Sequence, residues 1–524
     1  MKTRESLLRA IESARRHLLH GRPARAVLIL GRAARKVCAD LEEWVAFLTS
    51  AAELADVCDR LDLAARWIER TEEELRRRKP QCGEERARLS REIHLLKLWV
   101  RFRERGIPGV GGGLERAFLR IQRWKPWMLR FRWNLLLSQG RLDDFAKLLR
   151  HPPECAIRPG TLAYAVRIYN YGLFWFLKRQ FRKAALVTAS AVKKCEKLTC
   201  PLGLFYRATC LCWASRLETD RGNHDEGLRL ALRAEAIVER IATDRLRHLL
   251  YNAFGHVWYC SGDYEKALRT QLKICLSTPL SNRTNLSAVT IATMNAARNA
   301  LRLGRRGQAR RLLRRAAPLV RAYPHPWHRG YLYLLRGDLH RDSDTPSGYR
   351  NARRLYRAAQ TVFEAAGAAD YWLHQVHLSR GKLCIKERRF VEAREQADVC
   401  VEVGKKTGLC QFQVDGLLLK SFLLLDDGAP RVEIYETILR EMGVVKDPVV
   451  LFKILANLYI YSWDLGDQLD LTDLHLKQLD RLRDAIPAKT YERLYQTLVT
   501  ERVVGRFHKR FASGASVNRR AVSF

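Results

Sequence analysis

The sequence predicts an all-α fold: a right-handed α-solenoid of about eleven helix-turn-helix repeats with a period of 39–43 residues. Three observations predict it. A small residue recurs just after a turn at nearly constant spacing along the chain. Apolar residues recur at helical spacing, and strand-like alternation is absent. Hydrophobic residues make up 47% of 524 residues, so a sizeable core coexists with a formal net charge of +38. Length alone would suggest three or four domains or one long array, and the spacing selects the array.

The chain opens with MKTRESLLRAIESARRHLL, an amphipathic helix that carries Glu5 and Glu12 and makes a poor leader sequence. Turn-plus-small-residue segments then follow: GRPARA ending at Ala26, RLDLAA at Ala65, GRLDDF at Phe145 and RQFRKA at Ala184. GNHDEG ends at Gly227, GDYEKA at Ala267, GRRGQA at Ala309, SGYRNA at Ala352 and RRFVEA at Ala393, with a weaker GAPRVE ending at Glu433. From Ala184 onward the steps are 43, 40, 42, 43 and 41 residues. The small side chain has a steric reason, because the two helices of a pair must cross closely there. Irregular segments divide the array. Residues 1–105 read as N-terminal repeats, GIPGVGGG (106–113) as a glycine-rich break and 114–440 as the main superhelix. Residues 441–500 read as capping helices and 501–524 as a basic, small-residue-rich tail. The turn-rich DSDTPSG (342–348) lengthens one repeat.

In the best unit, LRHLLYNAFGHVWYC precedes Gly262-Asp263 and YEKALRTQLKICL follows, with Pro279 closing the pair. Tyr251, Phe254, Gly255, Trp258, Ala267 and Pro279 fall where tetratricopeptide repeats (TPRs) place their large, small and proline positions. Gly172 and Trp175 before Ala184, and Gly381 before Ala393, repeat the pattern. The chain therefore resembles TPR proteins over most of residues 1–440. With a period above that family's usual length, it looks like the longer-helix variety of MalT-type bacterial regulators. The resemblance implies an interaction platform rather than an enzyme, and no output domain accompanies it here.

Charge suggests the kind of partner. From Lys266 to Gly337, 72 residues contain no Asp or Glu but 15 Lys or Arg. Soluble helix surfaces usually mix both signs, so a one-sided stretch is a positive field whose complement is anionic. In the TPR family the position eleven residues before the small anchor faces the concave groove. Here it reads Arg216, His256, Arg298, Arg341 and Lys382. Arg302 and Lys386 lie one turn further on, and Asn252 and Asn295 share the face of His256 and Arg298. This row is the candidate binding groove. The alternative is a set of solvated positions without a ligand. A second basic group, Arg305, Arg306, Arg310, Arg311, Arg314 and Arg315, lies on a second helix and forms a candidate outer surface or a merely solvated face. RAFLRIQRWKPWMLRFRW (116–133) interleaves cations with aromatics, which suits base stacking. Helical spacing makes core packing the commoner explanation.

Chemistry has little support. His374/His377 and His325/His328 have a spacing that can hold a metal, but no CxxC or HExxH accompanies them. No GxSxG occurs, and a Cys–His pair meeting only in space stays open. Thirteen scattered cysteines in apolar helical contexts suit a reducing, cytoplasmic setting. No apolar run is long enough for a membrane span. The sequence thus predicts a non-enzymatic adaptor with no cofactor and no metal. Its partner is an acidic protein or peptide segment held in a basic groove, in a regulatory or defence complex. A direct DNA- or RNA-binding repeat protein is the alternative, and a hydrolase with a site hidden between helices ranks third.

Overall fold

The computed structural model describes residues 2–34, 40–58, 60–77, 83–105, 117–118, 125–138, 141–152, 160–178, 180–277, 286–322, 325–366, 370–424, 431–445, 448–464, 469–486 and 491–492. The glycine-rich break at 106–113, Pro279 and the basic tail at 501–524 lie outside the described residues.

Every regular element among the described residues is helical. The first part of the chain supplies α1 (Lys2–Leu19), α2 (Pro23–Ala33), α3 (Leu41–Val57), α4 (Leu61–Arg77) and α5 (Gly83–Arg105). After these come α6 (Pro126–Ser138), α7 (Leu142–Arg150), α8 (Leu162–Leu177), α9 (Phe181–Glu196), α10 (Pro201–Asp220) and α11 (His224–Ile241). The middle holds α12 (Asp244–Cys260), α13 (Tyr264–Ser277), α14 (Leu286–Arg302), α15 (Arg306–Ala322), α16 (Pro326–Arg341) and α17 (Pro346–Ala365). The chain continues with α18 (Asp370–Lys386), α19 (Phe390–Thr407), α20 (Cys410–Leu423), α21 (Arg431–Glu441), α22 (Pro448–Asp464) and α23 (Leu469–Arg481).

Short polar turns make these helices pair. Between α10 and α11, α12 and α13, and α14 and α15, a glycine adopts a left-handed backbone that a side chain would disfavour: Gly222 (φ 86°), Gly262 (φ 82°) and Gly304 (φ 70°). Several first turns are capped by side chains. Asp40 accepts from the backbone N–H of Glu42 (2.9 Å) and Glu43 (3.1 Å), and Thr345 accepts from that of Gly348 (3.1 Å).

The small anchors are buried where two helices touch. Ala184, Ala267, Ala309, Ala352 and Ala393 have no exposed surface. Two anchors shift by one residue: Ala64 is buried and Ala65 is not, and Ile434 is buried while Glu433 is exposed. On the facing helix the close approach is made by glycine. A Cβ added at Gly172 would lie 2.5 Å from Thr188 Oγ1, and one at Gly255 would lie 2.2 Å from Gln271 Nε2. Both contacts join a residue twelve before the anchor to one four after it.

The pairs stack with their first helices together. α8, α10, α12, α14, α16, α18, α20 and α22 each pack on the next in this series, and the second helices make no comparable approach to one another. The first helices therefore form the inner layer and the second helices the outer one. The array also curls onto itself. α1 packs on α10 and α11, α3 packs on α10, and Asp56 pairs with Arg245 at 2.9 Å. Further on, Phe176 and Phe181 pack against Val403, Leu409 and Phe412. One apolar cluster runs from Leu7 through Trp99, Trp127 and Phe131 to Phe254, spanning residues on both sides of the glycine-rich break. Among the described residues no helix is long and apolar enough to cross a membrane.

Candidate functional site: an inner charged row and an outer arginine face

The inner row departs from sequence counting at one place. Two glycines of α16 approach α17: Gly330, against the Phe363 ring, and Gly337, whose added Cβ would meet the Tyr356 ring at 2.4 Å, four residues after Ala352. Gly337 thus plays the part of Gly255, and the next residue, Asp338, plays the part of His256. α17 begins at Pro346, six residues before its anchor, whereas α13 begins at Tyr264, three before its own, and this puts three extra residues between glycine and anchor. Counting eleven back from Ala352 therefore overshoots to Arg341. Read by contact, the inward positions are Arg216, His256, Arg298, Asp338 and Lys382, and the row is not uniformly cationic.

The inner cations are engaged by neighbouring inner groups. Asp220, at the end of α10, accepts from His256 (Nε2–Oδ1 2.7 Å) and lies 3.9 Å from Arg216 Nε. Burial outweighs that carboxylate and holds the His256 imidazole below its usual pKa. Arg298 stacks on the Tyr259 ring at 3.6 Å, and Arg302 donates to the Tyr259 hydroxyl at 3.0 Å. Arg341 is 8% exposed and clamped between Asp342 (Nε–Oδ1 2.8 Å) and Asp338 (Nη1–Oδ1 2.8 Å). Asp338 also accepts from the Tyr356 hydroxyl at 2.9 Å. Lys382 faces Arg302, Arg341, Asp415 and Asp338. Burial, followed by the two guanidinium charges, pushes its ammonium well below the ordinary lysine pKa. Asp415, from α20, closes the network by bonding His374 Nε2 at 3.0 Å. Lys386 pairs with Asp344 in the α16–α17 turn. Asn295 accepts from the Tyr331 hydroxyl at 3.1 Å, while the shielded Oδ1 of Asn252 has no hydrogen-bond partner among the described residues. The row expected to line a binding groove is thus half-buried and cross-linked to its neighbours, with Arg341 alone buried. The acids that balance it come from outside the acid-free stretch, and local sequence reading could not assign them.

The outer group divides. Arg305 pairs with Glu265 at 2.7 Å, Arg306 with Asp344 at 3.6 Å, and half-buried Arg315 donates to the Cys275 carbonyl at 2.6 Å. Arg310, Arg311 and Arg314 on α15 are exposed, with no acid at ion-pair distance among the described residues. On α17, Arg350, Arg354 and Arg357 are likewise exposed with no such acid. These three lie at i, i+4 and i+7 on one helical face, beyond the acid-free stretch that ends at Gly337. Beside Arg315, at the end of α13, Leu276 is 79% exposed.

The remaining candidate chemistry is scattered. His374 bonds Asp415, whereas His377 bonds Gln396 at 2.8 Å, so the two rings do not converge. Cys260 Sγ lies 3.8 Å from His256 Nε2, but that nitrogen is also the one that meets Asp220. A nucleophilic triad needs the carboxylate on the other ring nitrogen, leaving Nε2 for the nucleophile. Trp127, Phe131 and Trp133 of the aromatic-basic run are buried in the core, and Arg130 pairs with Glu53.

No protein-family model and no curated protein matches the chain. Solved structures resemble it weakly. The Cut9–Hcn1 hetero-tetramer of the APC/C aligns at TM-score 0.41 and 13% identity over 89% of this chain and 89% of that one. The human IFIT1 dimer with m7Gppp-AAAA aligns at 0.39 and 14%, over 86% and 90%. A Rap protein complexed with competence and sporulation factor aligns at 0.33 and 12%, over 86% and 99%. By its own helix pairs, small anchors and inner–outer layering, the chain is a TPR-like helical repeat protein.

Proposed function

We propose that this protein is a non-enzymatic scaffold that holds an acidic, partly apolar segment of another protein against the outer face of α15 and α17. One observation carries this reading. Arg310, Arg311, Arg314, Arg350, Arg354 and Arg357 stand exposed with no acid beside them among the described residues, whereas the inner cations are engaged within the array. Unpaired surface guanidiniums on rigid helices are ready bidentate donors to carboxylates. Leu276, exposed beside the Cys275 carbonyl that Arg315 bonds, would give an apolar side chain of such a segment a place to pack. The competing reading, a direct nucleic-acid binder, uses the same arginines as phosphate contacts.

A binding measurement separates the surfaces and the ligands. The probes are a labelled peptide alternating Asp/Glu with Leu and a labelled single-stranded oligonucleotide. The variants are Arg311→Glu with Arg314→Glu on the outer face and Arg298→Gln on the inner row. Loss of peptide binding in the outer variant alone supports the proposal. Loss in the inner variant alone returns the site to the groove. Oligonucleotide binding whose slope of log affinity against log salt falls by about 0.7–0.9 per lost contact would establish the nucleic-acid reading instead.

A further inference from the structure

Asp220, His256 and Cys260 bring a carboxylate, an imidazole and a thiol to one point between α10 and α12. One ligand atom of each lies within 4.8 Å of the other two. His256 and Cys260 share a helical face at i, i+4, and Asp220 is the last residue of the adjacent inner helix. The carboxylate oxygen Oδ1 and the sulfur approach the same ring nitrogen, at 2.7 and 3.8 Å. A second observation points to a cation. Asp220 is 3% exposed, and its other oxygen, Oδ2, is buried with no hydrogen-bond partner among the described residues, its charged neighbour Arg216 standing 3.9 Å away. A carboxylate buried in this way is a ready ligand for a metal ion.

We propose that Asp220, His256 and Cys260 bind one divalent ion of the zinc class, with water in the fourth position, and that the ion staples α10 to α12. The donor set suits that ion: thiolate, imidazole and carboxylate together are borderline-soft and accept tetrahedral geometry. Bonds of about 2.0–2.3 Å at tetrahedral angles separate donor atoms by roughly 3.2–3.7 Å. The sulfur and nitrogen already stand near that spacing, and the carboxylate reaches it by opening about half an ångström. Asp220 and the thiolate supply two negative charges for the ion's two positive ones. Binding converts the Cys260 thiol to thiolate and releases one proton to solvent. Arg216, 3.9 Å from Oδ2, sits behind the carboxylate and fixes its orientation.

The test uses the full chain and needs no assay of activity. Zinc content per chain is measured by elemental analysis, and cobalt(II) is titrated into metal-free protein while the thiolate-to-cobalt charge-transfer absorption is followed. One ion per chain is expected, with a charge-transfer band and a higher Tm when metal is added. Cys260→Ser and His256→Gln should lose the band and the Tm shift. Cys275→Ser should keep both, because that thiol lies on α13 beside Thr293. Folded wild-type protein that takes up well under one equivalent and shows no band overturns the proposal. So does a band that survives Cys260→Ser. Should either variant fail to fold, the wild-type titration remains decisive, and Asp220→Asn, which preserves the side chain's size, replaces it with an expected weakening of cobalt affinity by at least tenfold.

Discussion

The inner and outer faces of this array carry similar cations in opposite circumstances. Inside, Arg341 sits between Asp338 and Asp342, Arg302 on Tyr259, and Lys382 near Asp415. Outside, Arg310, Arg311 and Arg314 are exposed with no acid beside them among the described residues. Arg302 inside and Arg310, Arg311 and Arg314 outside come from the same acid-free stretch, so composition cannot tell the two circumstances apart. Pairing in space can, because an acid 113 positions along the chain from Arg302, Asp415, reaches the inner group once the first helices stack. A positive stretch of sequence is therefore a recognition surface only where the fold leaves it unmatched.

The comparison breaks or stands on charge reversal. Arg341→Glu would bury a carboxylate among Asp338 and Asp342 and remove their shared cation. Breaking a buried pair in this way is expected to destabilise the protein by about 3–5 kcal/mol, read as a lower urea midpoint. If Arg341→Glu unfolds with the parent, the interior is hydrated and the inner row regains its claim as a binding groove.

The register of the inner row offers the next test. Gly337→Ala would place a Cβ against the Tyr356 ring. That ring is fully buried and tied through its hydroxyl to Asp338, so it has nowhere to go. A loss of about 1–3 kcal/mol is expected. His340→Ala, at the exposed position that uniform counting would place at the contact, should have little effect. The reverse outcome would restore Arg341 to the inward series.

These two sites show what was legible in the sequence. The helix pairs, their period and the small anchors were legible because steric crossing forces a small residue at a fixed distance from each turn. Ala267 and Gly255 are the clearest examples. The one-turn error at Arg341 arose because the count ran through the lengthened 342–348 segment, whose extra residues change the distance between contacts without disturbing the pattern. The partners of the inner row were not legible, since Asp220, Asp338 and Asp415 look like ordinary helical acids until stacking brings them inward. His256 and Cys260 stood at i, i+4 in the sequence, but Asp220 beside them is visible only in three dimensions.

Titration extends the contrast, because buried groups respond to mild acid and surface guanidiniums do not. Burial, with a smaller effect from His325, pushes the His328 imidazole down to about 3 from an ordinary 6.5. Between those values the unfolded chain binds a proton that the folded chain refuses. Stability should therefore decline as pH falls from about 6.5 towards 3, by up to about 1.4 kcal/mol per pH unit from this residue. Thermal melts across that window should show the decline, and His328→Gln should flatten it. An unchanged slope in the variant would mean that His328 titrates like an exposed histidine.

The smallest effect on stability belongs to the outer face. Arg311→Glu with Arg314→Glu touches no core residue and breaks no ion pair found among the described residues. Exposed substitutions of this kind usually shift stability by less than about 0.5 kcal/mol. The two arginines lie three apart on α15, so their reversal places two carboxylates on one face and halves the run of cations that begins at Arg310. Folding should be untouched while affinity for the acidic peptide falls at least tenfold, the energy of roughly one charge-assisted contact. The loss should shrink as salt rises, since exposed charges are screened within about 8–10 Å at physiological ionic strength. A variant that melts with the parent and still binds the peptide would show that unmatched arginines on this fold are only solvated. The inner and outer faces would then differ in pairing but not in function.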